Sequence, residues 1–283
     1  MSSAPRFGLA RVLSKLGACS RSQAEKAVRD GRVSVDGRVV VDPERPTDPE
    51  RQRIELDGAA VTAAKRVYIA LNKPRGIVVS AADERGRDTV YELLSASGLP
   101  WLGPVGRLDK ASEGLLLLSN DSVWSALLTD PRYHVDKTYH VQVDAIPDPA
   151  MLEQMTRGAI DQGEHLAAKR ATLLRTGEKN AWLEVVLDEG RNRHIRRLLE
   201  AQGIGVLRLI RIAVGDLSLG DLAKGQWRHL TAAEVASLAR AQRNHNVPEK
   251  TPRNAAKSLR TPARPATSAR SRRDGGQGPA RRR

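Results

Sequence analysis

GRLDKASEGLLLLSND, residues 106 to 121, holds four consecutive leucines, Leu115 to Leu118, directly behind Gly114. An unbroken apolar run cannot alternate between core and solvent, so it predicts a strand buried on both faces. Such a strand needs a layer on each side, which makes a sheet the centre of the fold. Asn120 and Asp121 offer a cap for a short helix over Ser122 to Leu128. Asp109, between Arg107 and Lys110, sits on the loop that feeds this strand. A carboxylate mounted on a rigid element suits demanding chemistry, although a lone Asp in a Gly-flanked loop is more often a turn or cap residue.

Upstream of this stretch, Val67 to Leu71 reads as a strand and Asn72-Lys73-Pro74-Arg75-Gly76 as the loop that breaks it. Ile77 to Ser80 resumes as a strand, and Asp88 can cap a helix from Thr89 to Leu94. Downstream, Lys137 to Asp144 alternates, with Tyr139, Val141 and Val143 on one face. Asp148-Pro149 starts a helix that Gly158 stops, and Leu183, Val185 and Leu187 mark a further half-buried strand. Asn192 opens the helix NRHIRRLLEAQ, ended by Gly203. At about 100° per residue, Arg193 and Arg197 face away from its apolar stripe. Arg196 lies on the margin, the one arginine placed to be partly buried. Val206 to Val214 is another apolar strand, and Thr231 with Glu234 forms a capping box for a last helix. Many strands with few, short helices, and no regular strand–helix rhythm, predict an α+β fold on a mostly antiparallel mixed sheet. No dinucleotide or Walker sequence is present; Gly215 to Gly220 is followed by Asp221 rather than Lys.

The N-terminal residues read differently. Leu9, Val12, Leu13 and Leu16 fall at helical spacing, Ser20 and Gln23 form a capping box, and Gly31 stops the second helix. Val33, Val35, Val39 and Val41 then alternate around Asp36-Gly37, a hairpin signal. Residues 6 to 32 carry seven Lys and Arg against Glu25 and Asp30, so the helical pair presents a basic face. On charge alone this is as readily a solvated helix surface as a binding one. Small residues from Asp57 to Ala64 suggest a linker.

Net charge is +14 over 283 residues, which suggests a polyanionic partner. From Arg240 to Arg283 there are 13 Lys and Arg against Glu249 and Asp274, so the rest of the chain is close to neutral. That tail, rich in Pro, Ala, Ser and Arg, is expected to be disordered and to hold RNA, a solubilising role being the alternative. One cysteine, Cys19, excludes a disulfide framework and fits a reducing cytoplasm. Six scattered histidines form no metal-binding pair, and no apolar run reaches membrane-spanning length. No metal, cofactor or membrane is expected.

Asp109, Tyr139 and Arg196 could converge: a buried carboxylate stays ionised beside an opposite charge, which Arg supplies in bidentate geometry. Carboxylates form covalent intermediates with sugar carbons. Glu113 and Asp121 are local candidates for a second acid, but neither has an evident partner for glycoside hydrolysis.

RVLSKLGACSRSQAEKAVRDGRVSVDG resembles the S-four type RNA-binding module, in which two short helices present basic residues to structured RNA. That resemblance makes Arg11, Lys15, Arg21 and Arg29 the expected contacts, with Arg32 beside them. GRLDKASEGLLLLSND, KTYHV (137–141) and EGRNRHIRRLL (189–199) resemble the three motifs of the pseudouridine synthases, and LNKPRG (71–76) resembles the branch acting on ribosomal RNA. By this resemblance Asp109 is the nucleophile, Tyr139 stacks on the target base and takes a proton from its ring carbon, and Arg196 pairs with Asp109. Arg107 is similar to the residue that fills the gap left by the flipped base, and Arg193 is a further RNA contact. His194 departs from the Gln or Glu more usual in that branch. The resemblance implies residues 1–60 as the RNA-binding domain, 66–240 as the catalytic domain and 241–283 as a tail. It further implies a cytoplasmic, monomeric enzyme that isomerises a uridine of ribosomal RNA, with the large subunit favoured, and needs no cofactor. A catalytically silent RNA-binding assembly factor is the alternative from another class.

Overall fold

The computed structural model describes residues 7–80 and 86–240. The tail at 241–283, expected to be disordered, lies outside the described residues.

The N-terminal elements are β1 (Phe7–Gly8), α1 (Leu9–Lys15), α2 (Arg21–Arg29), β2 (Val33–Val35), β3 (Arg38–Val39), β4 (Pro46–Thr47), β5 (Ile54–Leu56) and β6 (Ala59–Ala60). The Ser20–Gln23 capping box opens α2 with both of its hydrogen bonds made. Asp36 (φ 52°) and Gly37 (φ 75°) turn β2 into β3, the left-handed pair that a tight hairpin requires. Leu9, Val12, Leu13, Val28, Val33, Val35 and Ile54 form a core of their own. The segment from Asp57 is not simply a linker. Asp57 and Gly58 both take positive φ and turn β5 into β6, because Asp-Gly is itself a hairpin signal. Ala64 N–H then donates to the Leu16 carbonyl (3.0 Å), and Trp101 N–H to that of Gly17 (3.2 Å), which joins α1 to the larger part of the chain.

That larger part runs β7 (Tyr68–Lys73), β8 (Gly103–Val105), β9 (Glu113–Ser119), α3 (Ser122–Thr129), β10 (Lys137–Val143), α4 (Pro149–Arg157), β11 (Ala159–Asp161) and β12 (Glu164–Leu166). It continues through β13 (Arg170–Thr176), β14 (Ala181–Leu187), α5 (His194–Glu200), β15 (Val206–Val214), β16 (Leu217–Ser218), β17 (Trp227–His229) and α6 (Ala232–Arg240). The main sheet has the order β13-β14-β10-β15-β9-β7-β17, with β8 on β9 and β16 on β15. Only the β15–β9 contact is parallel, so the sheet is mixed and mostly antiparallel, as the sequence predicts. Every residue of β9 is buried. Leu116 and Leu118 share one core with Ile69, Leu71, Val141 and Leu183. Leu115 and Leu117 pack on the other face with Trp124, Leu128 and Leu238. Covering both faces is what an unbroken leucine run demands, at roughly 1.5–3 kcal/mol for each buried side chain.

Gly114 makes the parallel contact possible. It pairs with Arg211 at φ +100°, and an added Cβ would fall on the Arg211 carbonyl. Gly114→Ala should therefore lower stability by about 2 kcal/mol, measured as the urea midpoint at unchanged m-value.

Three local expectations fail. β7 does not break at Asn72 but runs on through Lys73. Asn72 donates to the Leu222 carbonyl (2.7 Å) and the Lys73 ammonium finds carbonyl partners inside, so two polar residues continue a buried strand. Ile77 to Ser80 forms no strand, only an isolated bridge from Val78 to Thr89. Val78 and residues 88–90 exchange backbone hydrogen bonds, which holds those residues extended and leaves a single 3-10 turn, Glu92–Leu94, where a helix from Thr89 is expected.

Candidate active site

Asp109 lies on the loop between β8 and β9, and the loop is held by its main chain. The Asp109 carbonyl accepts from Ser112 N–H (2.9 Å) and from the Lys73 ammonium (3.2 Å). The Lys110 carbonyl accepts from Gly76 N–H (2.8 Å), and the Ser112 carbonyl from Lys73 (2.8 Å). The Ala111 carbonyl accepts from Arg196 Nη2 (3.2 Å). Four successive carbonyls are thus occupied. The Asp109 carboxylate makes no hydrogen bond or ion pair with any described residue and lines a cavity of about 640 Å³.

The cavity wall brings together Arg107, Asp109, Lys137, Tyr139, Arg193 and Arg211. Tyr139 is buried on β10, and its register partner on β15 is Arg211, so the two share a face beneath Asp109. The Tyr139 hydroxyl bonds no described residue. Arg211 is 5% exposed; its Nε donates to the Leu115 carbonyl (2.7 Å) while Nη2 is buried without a partner. Burial, with Arg211 alongside, draws the Lys137 pKa down to about 8 against the pull of Asp136 and Asp188. Fully buried Lys73 is likewise drawn to about 8 by burial, with Asp109 and Glu113 opposing. Arg107 and Arg193 are exposed at the rim.

Arg196 does not line the cavity, and no ion pair joins it to Asp109. It sits behind the loop, where Nη1 donates to the Val206 carbonyl (3.2 Å) and Nη2 to that of Ala111. Its Nε is buried and unpartnered, and burial pulls its pKa below the ordinary value, Asp109 opposing. Arg196 therefore ties the loop to the start of β15. Hydrogen bonds to a charged group contribute about 1.5–3 kcal/mol each, part of it offset by desolvation. Arg196→Met should cost about 2 kcal/mol in a denaturation experiment, and Arg193→Met much less.

The helix-face reasoning fails for Arg197, whose side chain is 12% exposed. The β11–β12 hairpin packs over the outer side of α5 and offers it Asp161 and Glu164. Helix α5 also starts at His194 rather than Asn192, because Arg193 takes a left-handed φ of 49°. His194 is 3% exposed and kept neutral by burial, which removes it as a surface contact for RNA.

In the N-terminal part, Arg11, Lys15, Arg21, Arg29 and Arg32 are all exposed. Arg11 and Lys15 lie over the Phe7 ring (4.9 and 3.6 Å). Arg21 and Arg29 share Glu25, and Arg32 is engaged by Asp57. Sequence reasoning missed Lys73, Lys137 and Arg211. Lys137 stands beside Tyr139 in a quoted motif and could have been found there; Lys73 and Arg211 read as loop and strand-surface residues. Among the described residues no group of metal-binding side chains occurs, and no helix is long and apolar enough to cross a membrane.

Residues 67–201 match the RNA pseudouridylate synthase family and residues 7–52 the S4 domain. The chain is 36% identical to ribosomal large subunit pseudouridine synthase B of Bacillus subtilis, over 84% of its length and 97% of that protein. It is 37% identical to an uncharacterized RNA pseudouridine synthase of Aquifex aeolicus, over 85% of its length and 96% of that protein. A crystal structure of a pseudouridylate synthase aligns with a TM-score of 0.57 at 30% identity, covering 82% of this chain and 99% of that one.

Proposed function

Since the chain belongs to the RNA pseudouridylate synthase family, we propose that it converts a specific uridine of large-subunit ribosomal RNA to pseudouridine, with Asp109 as nucleophile acting on a flipped base. The observation that carries the reading is the free Asp109 carboxylate: its loop is fixed at four successive carbonyls while the carboxylate is left to the cavity. A side chain positioned this way can attack without surrendering a structural contact. A cavity of about 640 Å³ accommodates a nucleotide, and a base reaches it only by leaving its stack.

The reaction is an isomerisation. Asp109 bonds transiently to the nucleotide, and the bond from ribose C1′ to ring nitrogen breaks. The uracil turns while held, C1′ bonds to ring carbon C5 instead, and the bond to Asp109 breaks to restore the carboxylate. The C5 proton is lost and the freed nitrogen gains one, so atoms and charge balance. Tyr139 stacks on the base, and its oxygen takes the C5 proton while its own hydroxyl proton passes to solvent, which supplies the proton gained by the freed nitrogen. Arg196 is a positioning residue acting through the Ala111 carbonyl. Arg107 fills the gap in the RNA, and Arg193 holds a flanking phosphate. Residues 1–60 bind RNA through Arg11, Lys15, Arg21 and Arg29, residues 66–240 catalyse, and the tail adds affinity without choosing the uridine. The enzyme acts as a cytoplasmic monomer. The name of the Bacillus subtilis relative supports the large subunit as target. Purified protein, incubated with unmodified large- and small-subunit ribosomal RNA, should form pseudouridine at a defined large-subunit position mapped by mass spectrometry. Conversion only in small-subunit or transfer RNA would move the target; no conversion in any of them would sink the reaction.

A further inference from the structure

On the face of the sheet turned away from the cavity, one row crosses four strands. Arg175 on β13 is in register with Trp182 on β14, Trp182 with Gln142 on β10, and Gln142 with Arg208 on β15. Side chains alternate across a strand, so Gln142 and Arg208 point opposite to Tyr139 and Arg211. The Arg175 and Arg208 guanidinium carbons lie 5.2 and 5.7 Å from the Trp182 ring. With His140, Leu174 and Ile210 they line a second, shallower cavity of about 450 Å³. Leu174 is 46% exposed, so nothing in the described residues covers that rim. Arg175 has no carboxylate within ion-pair distance among the described residues. Arg208 and Lys224 share one buried carboxylate, Glu113, which leaves that trio net positive.

We propose that this row is a second RNA-binding surface, where an unpaired base stacks on the Trp182 indole and neighbouring phosphates meet Arg175 and Arg208. An indole with two guanidinium groups over its ring matches a partner that is both planar and anionic: the base takes a guanidinium's place on the ring, and the guanidinium turns to the phosphate. An acidic peptide would satisfy the arginines but not the ring; an apolar peptide would leave the arginines desolvated and unpaired. RNA satisfies both, and stacking on an aromatic side chain tolerates any base. The surface therefore anchors single-stranded RNA flanking the modified site rather than selecting it. This rests on RNA as the substrate class, not on the reaction proposed above.

The test uses the full chain and a single-stranded RNA of about 20 nucleotides, a length chosen to exceed the site sizes typical of such surfaces, carrying one photoreactive thiouridine. Irradiation should cross-link it to the peptide containing Trp182. Trp182→Leu should weaken binding of this RNA at least about fivefold, with Trp182→Phe retaining most of it. Arg175→Ala should make the slope of log affinity against log salt shallower by about 0.7. Cross-links confined to other surfaces, with affinity and slope unchanged in all three variants, would overturn the proposal. If Trp182→Leu fails to fold, an unchanged salt slope in Arg175→Ala, an exposed position, overturns it alone. A protein that cross-links at Trp182 yet makes no pseudouridine would support this surface while sinking the reaction.

Discussion

Asp109→Asn is expected to leave no detectable pseudouridine while keeping RNA affinity within a few-fold and stability within about 1 kcal/mol of the parent chain. The substitution preserves size and removes the anion proposed as nucleophile. It disturbs little else, because the loop is held by the Asp109, Lys110, Ala111 and Ser112 carbonyls and the carboxylate bonds no described residue. The measurement is single-turnover conversion alongside a urea denaturation curve. Conversion near the parental rate would remove Asp109 from the chemistry. A large loss of stability would mean the carboxylate holds the loop after all.

Lys73→Met should be the most damaging change outside the cavity. The Lys73 ammonium donates to the carbonyls of Pro74 (3.1 Å), Asp109 (3.2 Å) and Ser112 (2.8 Å) with no exposed surface. The Asp109 carbonyl keeps Ser112 N–H, while the Pro74 and Ser112 carbonyls, left without a donor, cost about 1–3 kcal/mol each, and relief from burying a cation offsets part of that. The expected net loss is about 3 kcal/mol. Turnover should fall on the order of 100-fold, because the proposed nucleophile, Asp109, loses its mount. A pH series separates the ammonium from generic packing. Lys73 has a folded pKa of about 8 against 10.5 for the ordinary group. Between those values the unfolded chain holds a proton that the folded chain has released, so this residue's contribution to stability rises with pH. The stability gap between parent and Lys73→Met should therefore widen from pH 8 towards 10 and stay level below pH 8. A gap independent of pH would mean that Lys73 is not drawn down by burial.

The central strand and the antiparallel sheet around it were legible because each rests on local pattern: Leu115 to Leu118 had no face to spare, and residues 137–143 alternated. Tyr139 came with its strand, and Asp109 with the loop beside the leucines. What was not legible depended on partners distant in sequence. Lys73 looked like part of a loop because N-K-P-R-G carries every mark of one, and only the carbonyls of residues 109 and 112 make its burial tolerable. Arg197 pointed outward on the helix wheel, yet Asp161 and Glu164, more than thirty residues earlier, come over the helix to meet it. Arg196 was placed correctly as partly buried but given the wrong partner, since a wheel shows which way a side chain leaves the helix and not what it reaches. β13 escaped notice because a bulge between Leu173 and Arg175 destroys its alternation.

The loop beneath Asp109 also sets an order of events during synthesis. Its supports come from Lys73, Gly76 and Arg196, and Arg196 is itself anchored on the Val206 carbonyl. The core of Leu9 to Ile54, by contrast, is joined among the described residues by nothing later than Leu56 and Val61. Chains fold from the N-terminus as they emerge, and contacts between distant residues close last. A nascent chain therefore has its basic helices folded well before Val206 has been made and the Asp109 loop acquires its supports. On the function proposed above, capture precedes competence, and a chain ended in between would bind RNA without doing chemistry.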